Sequence, residues 1–192
     1  MFDVGNVIWS ESHGVFGDHQ GAGALYFGLP YMLQAERCVC LGSGAGFVPL
    51  MMLSAQRRLV QEGMLERVDV VLVDANMGPW GRPVYGSGQD IDPDIVLHKM
   101  LTSEASKFLS GINYLHVDAD HSYEGVMADL QGYLPLMVGD WAITVHDTHN
   151  VRNAHMNIGS WEAAQDFCRE HGLGLLNFKV GCGTAVIRRR DG

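Results

Sequence analysis

Apolar positions along this chain follow two rhythms, short continuous runs and longer stretches in which they recur every third or fourth residue, and the two alternate. Arg37 to Leu41 (RCVCL) has the density of a strand buried on both faces and leads into Gly42-Ser43-Gly44-Ala45-Gly46. From Phe47 to Glu62 the apolar residues Phe47, Leu50, Met51 and Ala55 fall on one helical face; Pro49 fits a first turn and Gly63 a stop. Val68 to Val73 (VDVVLV) predicts a second strand, ending at Asp74. Ile95 to Met100 predicts a third, and Ser103 to Leu109 a short helix. Ile112 to Val117 (INYLHV) predicts a fourth strand, followed by a helix from about Ser122 to Met137 with Val126, Leu130 and Leu134 on one face. Trp141 to Val145 predicts a fifth strand and Trp161 to His171 a helix with Ala164, Phe167 and Cys168 inward. Leu173 to Val180 and Thr184 to Arg188 predict two last strands, antiparallel because only Gly181-Cys182-Gly183 joins them.

Strands that alternate with helices predict an α/β fold: a mostly parallel sheet with one antiparallel edge strand and helices on both faces. A length of 192 residues fits a single domain over 1–192, with 1–36 as a short N-terminal extension. Residues 76–92 hold Gly78, Pro79, Gly81, Pro83, Gly86 and Gly88, the composition of a long irregular loop where a helix is more usual. Trp80 and Tyr85 within it either line a substrate pocket or pin the loop to the body.

Composition narrows the function classes. With 47% hydrophobic and 18% charged residues the chain is too apolar to be disordered. No run approaches the roughly 20 apolar residues of a membrane helix. The first residues carry Asp3, Glu11, His13 and Asp18 in place of a basic and then apolar leader, so neither a membrane span nor a secretory signal is expected. A net charge of −9 opposes a nucleic acid or an anionic membrane as partner, and Arg188, Arg189 and Arg190 read as a solvated chain end. Four cysteines without a CxxC pair or disulfide framework point to a reducing cytoplasm.

In sheets of this kind ligands bind beyond the carboxyl ends of the strands. There the chain places the glycine run, Asp74, Asp118-Ala119-Asp120-His121, and His146-Asp147 with His149. GxGxG either permits a tight turn or lets backbone approach a ligand; Phe47 replaces the last glycine of GxGxxG, which suits a ligand without a pyrophosphate. Asp74 either accepts bonds from ribose hydroxyls or caps a turn. Asp118 and Asp120 fall on one face of an extended chain, where their oxygens suit Mg²⁺, Ca²⁺ or Mn²⁺; alternatively Asp120 or Ser122 caps the next helix and Glu124 favours its dipole. His146, Asp147 and His149 bring imidazoles and a carboxylate toward the same cleft, able to bind a metal or move protons. His13, His19, His98, His116 and His155 are assigned no role, and the lack of GxSxG opposes a hydrolase triad.

The order GxGxG, an acid after the second strand, and above all VDADHSYEGVMADLQGYLPLMVGDWAITVHDT resembles the class I S-adenosylmethionine-dependent methyltransferases. Within them the chain is most similar to the small-molecule O-methyltransferase branch that includes cephalosporin-hydroxylase-like and macrocin O-methyltransferase-like proteins. The resemblance spans roughly Arg37 to Arg188. It implies a Rossmann-like doubly wound sheet of seven strands, the last antiparallel. It also implies that Gly42, Ser43, Gly44 and Gly46 wrap the methionine part of S-adenosylmethionine, that Asp74 holds the ribose, that Thr102 or Ser103 lies near the adenine, and that Asp118 adjoins the cofactor. In metal-dependent relatives Mg²⁺ is held at positions matching Asp118, His146 and Asp147. Two departures stand out. Cys40 replaces the acid usual two residues before the first glycine, and His146 stands where an oxygen ligand is common, so a metal here is either softer than Mg²⁺ or absent.

The expected activity is methyl transfer to a hydroxyl of a small molecule, with or without a divalent metal. Asp118, Asp147 and His146 hold the metal or orient the acceptor, and His121 or His149 takes the proton. Two other readings stay open: a non-catalytic cofactor-binding or regulatory protein of the same fold, and a metal-dependent hydrolase. With few residues before the first strand to build a cap, part of the pocket is expected from the 76–92 loop or from a second subunit of a homo-oligomer.

Overall fold

The computed structural model describes residues 13–14, 21–42, 46–75, 91–149 and 158–190. In chain order its elements are α1 (Gly23–Met32), β1 (Cys38–Leu41), α2 (Phe47–Gln61), β2 (Val70–Val73), β3 (Ile95–His98), α3 (Thr102–Ala105), β4 (Ile112–Val117), α4 (Tyr123–Tyr133), β5 (Met137–His146), α5 (Ser160–His171), β6 (Gly174–Phe178) and β7 (Thr184–Arg188). The strands form one seven-stranded sheet in the order β3-β2-β1-β4-β5-β7-β6. Strands β1 to β5 pair in parallel and β7 is antiparallel to both β5 and β6. The antiparallel strand therefore lies one place in from the edge, which β6 forms.

Period-two alternation divides the core between the two faces of the sheet. Val39 and Leu41 of β1, with Leu115, Val117, Ile143 and Val145, pack against α4 and α5 through Val126, Leu130, Ala164 and Phe167. Cys38 and Cys40, one residue out of step, face the other way with Leu72 and Tyr114, and meet α1 and α2 through Tyr26, Phe47, Met51 and Met52. Burying a side chain such as Leu130 or Phe167 contributes about 1.5–3 kcal/mol, so both layers stabilise the sheet strongly.

The 1–36 extension thus contributes a helix, α1, to the layer beside α2. Three element boundaries differ most from the sequence expectation, each for a local reason. The helix predicted to run to Met137 ends at Tyr133, because Pro135 lacks the amide needed to continue it and the chain makes a single 3-10 turn over Leu134–Leu136. Strand β5 starts at Met137 instead of Trp141. Its register shifts between Ile112↔Met137 and Tyr114↔Ala142, and the exposed Val138, Gly139 and Asp140 at this irregularity break the buried apolar run that marks the rest of the strand. The helix predicted over 103–109 is confined to Thr102–Ala105, after which Lys107 and Phe108 make tighter three-residue turns onto Glu104 and Ala105.

No described helix is long and apolar enough to cross a membrane. All four cysteines are free thiols.

Candidate active site

The same alternation builds the site. On β4, His116 and Asp118 are two residues apart, and on β5 so are Thr144 and His146; His116 pairs in register with Cys40 on one side and Thr144 on the other. All therefore face the layer made by α1 and α2. Asp118 emerges just past the carboxyl end of β4 and is held by its backbone N–H to the carbonyl of Leu41.

Gly42 closes β1 with φ +69, a left-handed conformation that side chains resist. A Cβ there would stand 2.4 Å from the carbonyl oxygen of Asp118 and 2.8 Å from the Cα of Ala119, so the glycine turn and the acid-bearing loop after β4 lie in direct backbone contact. Gly46 caps α2 from the left-handed region at φ +82. Ser43 and Gly44 lie outside the described residues, as do 76–90 of the expected 76–92 loop with Trp80 and Tyr85. Cys40, in the place of the usual acid, donates its thiol to the carbonyl of Gly42 at 2.9 Å, and burial pushes its pKa well up. A neutral thiol thus braces the turn from below. Asp74 is half-buried at the end of β2, its N–H bonded to the carbonyl of His98. Thr102 and Ser103 line a cavity of about 290 Å³ between α3 and α4, shared with Asp120, Asp129 and Tyr133. Burial raises the Asp129 carboxyl there to about 6.

Beyond the sheet end, Asp118, His121, His146 and Asp147 form one bonded cluster. Asp118 Oδ1 receives His146 Nδ1 at 3.0 Å and His121 Nε2 at 3.2 Å. His121 Nδ1 reaches Asp147 Oδ2 at 2.9 Å, and His146 Nδ1 lies 3.5 Å from Asp147 Oδ1. Asp147 holds φ +56, a strained conformation for any residue but glycine, asparagine or aspartate, and this turns its carboxylate back toward His121. Burial alone would raise the pKa of Asp118, but the charge of His146 and the bonds from the surrounding imidazoles outweigh it and hold the carboxyl well below its usual range. Hydrogen bonds to Asp118 and Asp147 lift His121 to about 11, so it stands as an imidazolium clamped between two carboxylates.

A raised histidine pKa has a defined stability signature. The contribution of His121 is fully present below its ordinary value of 6.5 and fades as pH climbs toward about 11. Unfolding free energy measured by urea titration is expected to decline between pH 7 and pH 10, and His121→Gln is expected to flatten that decline. An unchanged slope in the variant would contradict the clamp.

Two histidines given no role from the sequence belong to this site. His13, buried at 3% exposure, lies with its ring 4.0 Å from that of His146, and its Nδ1 bonds Tyr26 Oη at 3.1 Å; Tyr26 Oη in turn bonds Thr184 Oγ1 at 2.8 Å. His116 is fully buried, with Nδ1 bonded to Thr144 Oγ1 at 2.8 Å. Desolvation lowers the pKa of both rings. The two-residue spacing from Asp118 is the available signal for His116, whereas nothing in the local sequence of His13 marks it.

Other expected members stand elsewhere. Asp120 turns away from Asp118, is exposed, and bonds the N–H of Ser122, whose hydroxyl caps α4 through Gly125; Glu124 occupies the first turn. Of the two capping alternatives the structure has Ser122, with Asp120 bonding the N–H of that cap residue. His149 is half-buried and tied by its N–H to the carbonyl of Cys182, and the structure does not bring it into the bonded cluster. Asp118, His146 and Asp147, the expected metal ligands, divide between two groups of converging ligand atoms: His13 with Asp118 and His146, and Asp118 with His121 and Asp147.

Residues 39–148 match the family described as a methyltransferase domain. No curated protein sequence matches the chain. Among solved structures it is similar to an SAH-bound methyltransferase from Podospora anserina, at 16% identity and a TM-score of 0.63 over 91% of this chain and 80% of that one. A methyltransferase from Geobacter sulfurreducens is similar at 14% identity and TM-score 0.63, over 92% and 81% of the two chains. An O-methyltransferase from Bacillus cereus in complex with SAH is similar at 11% identity and TM-score 0.61, over 92% and 83%. At these identities the likeness carries the fold.

Proposed function

The chain belongs to the methyltransferase domain family, and from that premise we propose that it transfers a methyl group from S-adenosylmethionine to a hydroxyl oxygen of a small molecule. One observation carries this reading. The glycine turn expected to receive the methyl donor touches the loop that bears Asp118, so the donor site and the proton-handling cluster are neighbours at one sheet end. The described part of the donor site fits the cofactor: Gly42 leaves no room for a side chain, and Asp74 stands at the end of β2 where ribose hydroxyls are bound in folds of this kind.

Bound S-adenosylmethionine supplies an electrophilic sulfonium methyl group, which an oxygen must approach in line. In this proposal Gly42, Ser43, Gly44 and Gly46 wrap the methionine portion, Asp74 holds the ribose and Thr102 or Ser103 borders the adenine. Asp118 and Asp147 orient the acceptor hydroxyl, and Asp147 accepts its proton. His121 keeps its own proton at neutral pH and acts through the two carboxylates, holding Asp147 in place from Oδ2. His149 stands outside that bonded set and is the weaker choice of base. Where a divalent metal takes part, Asp118 with His146 or Asp147 would hold it, and it would polarise the acceptor oxygen.

Asp147→Asn tests the assignment cleanly, since asparagine tolerates the left-handed backbone at this position. Turnover is expected to fall by roughly 10²–10⁴-fold, the usual range for a lost proton-transfer group, with affinity for S-adenosylmethionine nearly unchanged. Equal losses in both would sink the catalytic role. Cys40 favours a second reading, a cofactor-binding protein without catalysis, because a neutral thiol cannot pair with the cofactor's ammonium group. Tight cofactor binding with no transfer to any hydroxyl acceptor would support it.

A further inference from the structure

The two metal-capable groups around Asp118 differ in kind. In the group with His121 and Asp147, the imidazole bonds both carboxylates and leaves neither ring nitrogen over. The group with His13 and His146 is different: two buried rings lie 4.0 Å apart, beside the carboxylate of Asp118, with all three ligand atoms within 4.8 Å of one another. Tyr26 Oη is within hydrogen-bond distance of both His13 Nδ1 and Thr184 Oγ1, so Nδ1 is the engaged nitrogen of His13 and Nε2 is the one a metal would take. Such a second hydrogen bond is what fixes the tautomer of a metal-binding histidine.

His116 supplies an independent sign. Its Nε2 is, among the described residues, the buried side-chain atom without a hydrogen-bond partner, and it lies 3.8 Å from Asp118 Oδ2. Its Nδ1 shares the hydroxyl of Thr144 with Tyr114 Oη and the Leu115 carbonyl, so Nε2 is left facing a carboxylate across a gap too long for a bond. A buried ring nitrogen left without a partner beside a carboxylate costs free energy, and a cation bound between them would offset that cost.

We propose that His13, Asp118 and His146 bind a first-row transition-metal dication of the Zn²⁺ or Co²⁺ kind, with His13 joining the site from outside the sheet and His116 flanking it. Two nitrogens and one oxygen make a donor set that Mg²⁺, which prefers oxygen ligands and water, fills poorly, and that imidazole-seeking ions fill well. The set differs from the oxygen-rich one expected from Asp118 and Asp147 by recruiting a ligand that sequence spacing does not reveal. The inference concerns the metal site alone and does not depend on methyl transfer.

The test is a titration of the chelator-stripped full chain with Co²⁺ in the absence of S-adenosylmethionine, read by visible d–d absorption, followed by displacement with Zn²⁺ and challenge with excess Mg²⁺. The expected result is saturation at one Co²⁺ per chain, displacement by Zn²⁺, and none by Mg²⁺. His13→Gln is expected to weaken Co²⁺ binding by more than the roughly 10–100-fold typical of losing an outer-shell partner, and Tyr26→Phe by about that smaller amount. Circular dichroism confirms that each variant is folded. No d–d bands in the wild type, or displacement by Mg²⁺ as readily as by Zn²⁺, would overturn the proposal. So would a folded His13→Gln that binds Co²⁺ as tightly as the wild type. Methyl transfer without metal binding would leave the proposed activity standing and this inference refuted.

Discussion

Asp118→Asn is expected to cost about 3–5 kcal/mol of stability, the usual penalty for removing one member of a buried ion-paired group. The residue is the shared partner of the site: His146 and His121 both bond its Oδ1, and its side chain is only 9% exposed. Asparagine keeps the shape and loses the charge, so the imidazolium of His121 retains Asp147 alone and His146 loses its strongest acceptor. For a chain of this length the expected drop in melting temperature is roughly 2–4 °C per kcal/mol, read by calorimetry. The loss is also expected to depend on pH. Because the carboxyl is held below its ordinary range, its contribution is present above pH 3.8 and vanishes as pH falls below it, so wild type and variant should converge in acid. A variant as stable as the wild type at pH 7 would mean that Asp118 does not organise the cluster.

Gly42→Ala is expected to be comparably damaging for a steric reason. The new methyl group would meet the Asp118 carbonyl at 2.4 Å and the Ala119 Cα at 2.8 Å, both backbone atoms that cannot swing aside, in a residue already at φ +69. Left-handed backbone costs an alanine about 1–2 kcal/mol, and overpacking adds about 1–3 kcal/mol. Gly63→Ala is the internal control. Gly63 has nearly the same φ, +73, and nothing within 4 Å of the Cβ position, so it should show the backbone cost alone. The difference between the two variants in chemical denaturation isolates the clash between the ends of β1 and β4. Cofactor affinity is expected to collapse in Gly42→Ala and to remain in Gly63→Ala. Equal stability losses in the two would contradict the close approach.

Much of this arrangement is legible along the chain, and the limits have physical causes. Buried parallel strands announce themselves as runs such as VCL and VVLV, because both faces are covered and no polar alternation interrupts them. Strand ends were equally readable, and with them Asp74, Asp118 and His146-Asp147. Alternation also foretells that His116 accompanies Asp118 and that Thr144 accompanies His146, since a period of two admits no other result. What alternation does not settle is where a residue just past a strand points. Asp120 has the same spacing from Asp118, but the chain has by then left β4, and its carboxylate bonds the start of α4 instead. His13 was illegible for a different reason. It lies more than a hundred residues from Asp118 in sequence, and tertiary contacts bring its ring to the cluster: the bond to Tyr26, packing beside Phe47 and the Ala22 N–H on its carbonyl. The start of β5 was hidden because an irregular register exposes residues that a regular strand would bury.

The measurement that tests the central claim most directly is isothermal titration calorimetry of the full chain with S-adenosylmethionine, run with and without added divalent metal and after chelation. Saturable binding at one site per chain is the predicted result, and its loss in Asp74→Ala would tie the site to the end of β2. No saturable heat in a protein that is demonstrably folded would contradict the claim. It would mean that with Cys40 in place of the acid the glycine turn no longer holds the methyl donor.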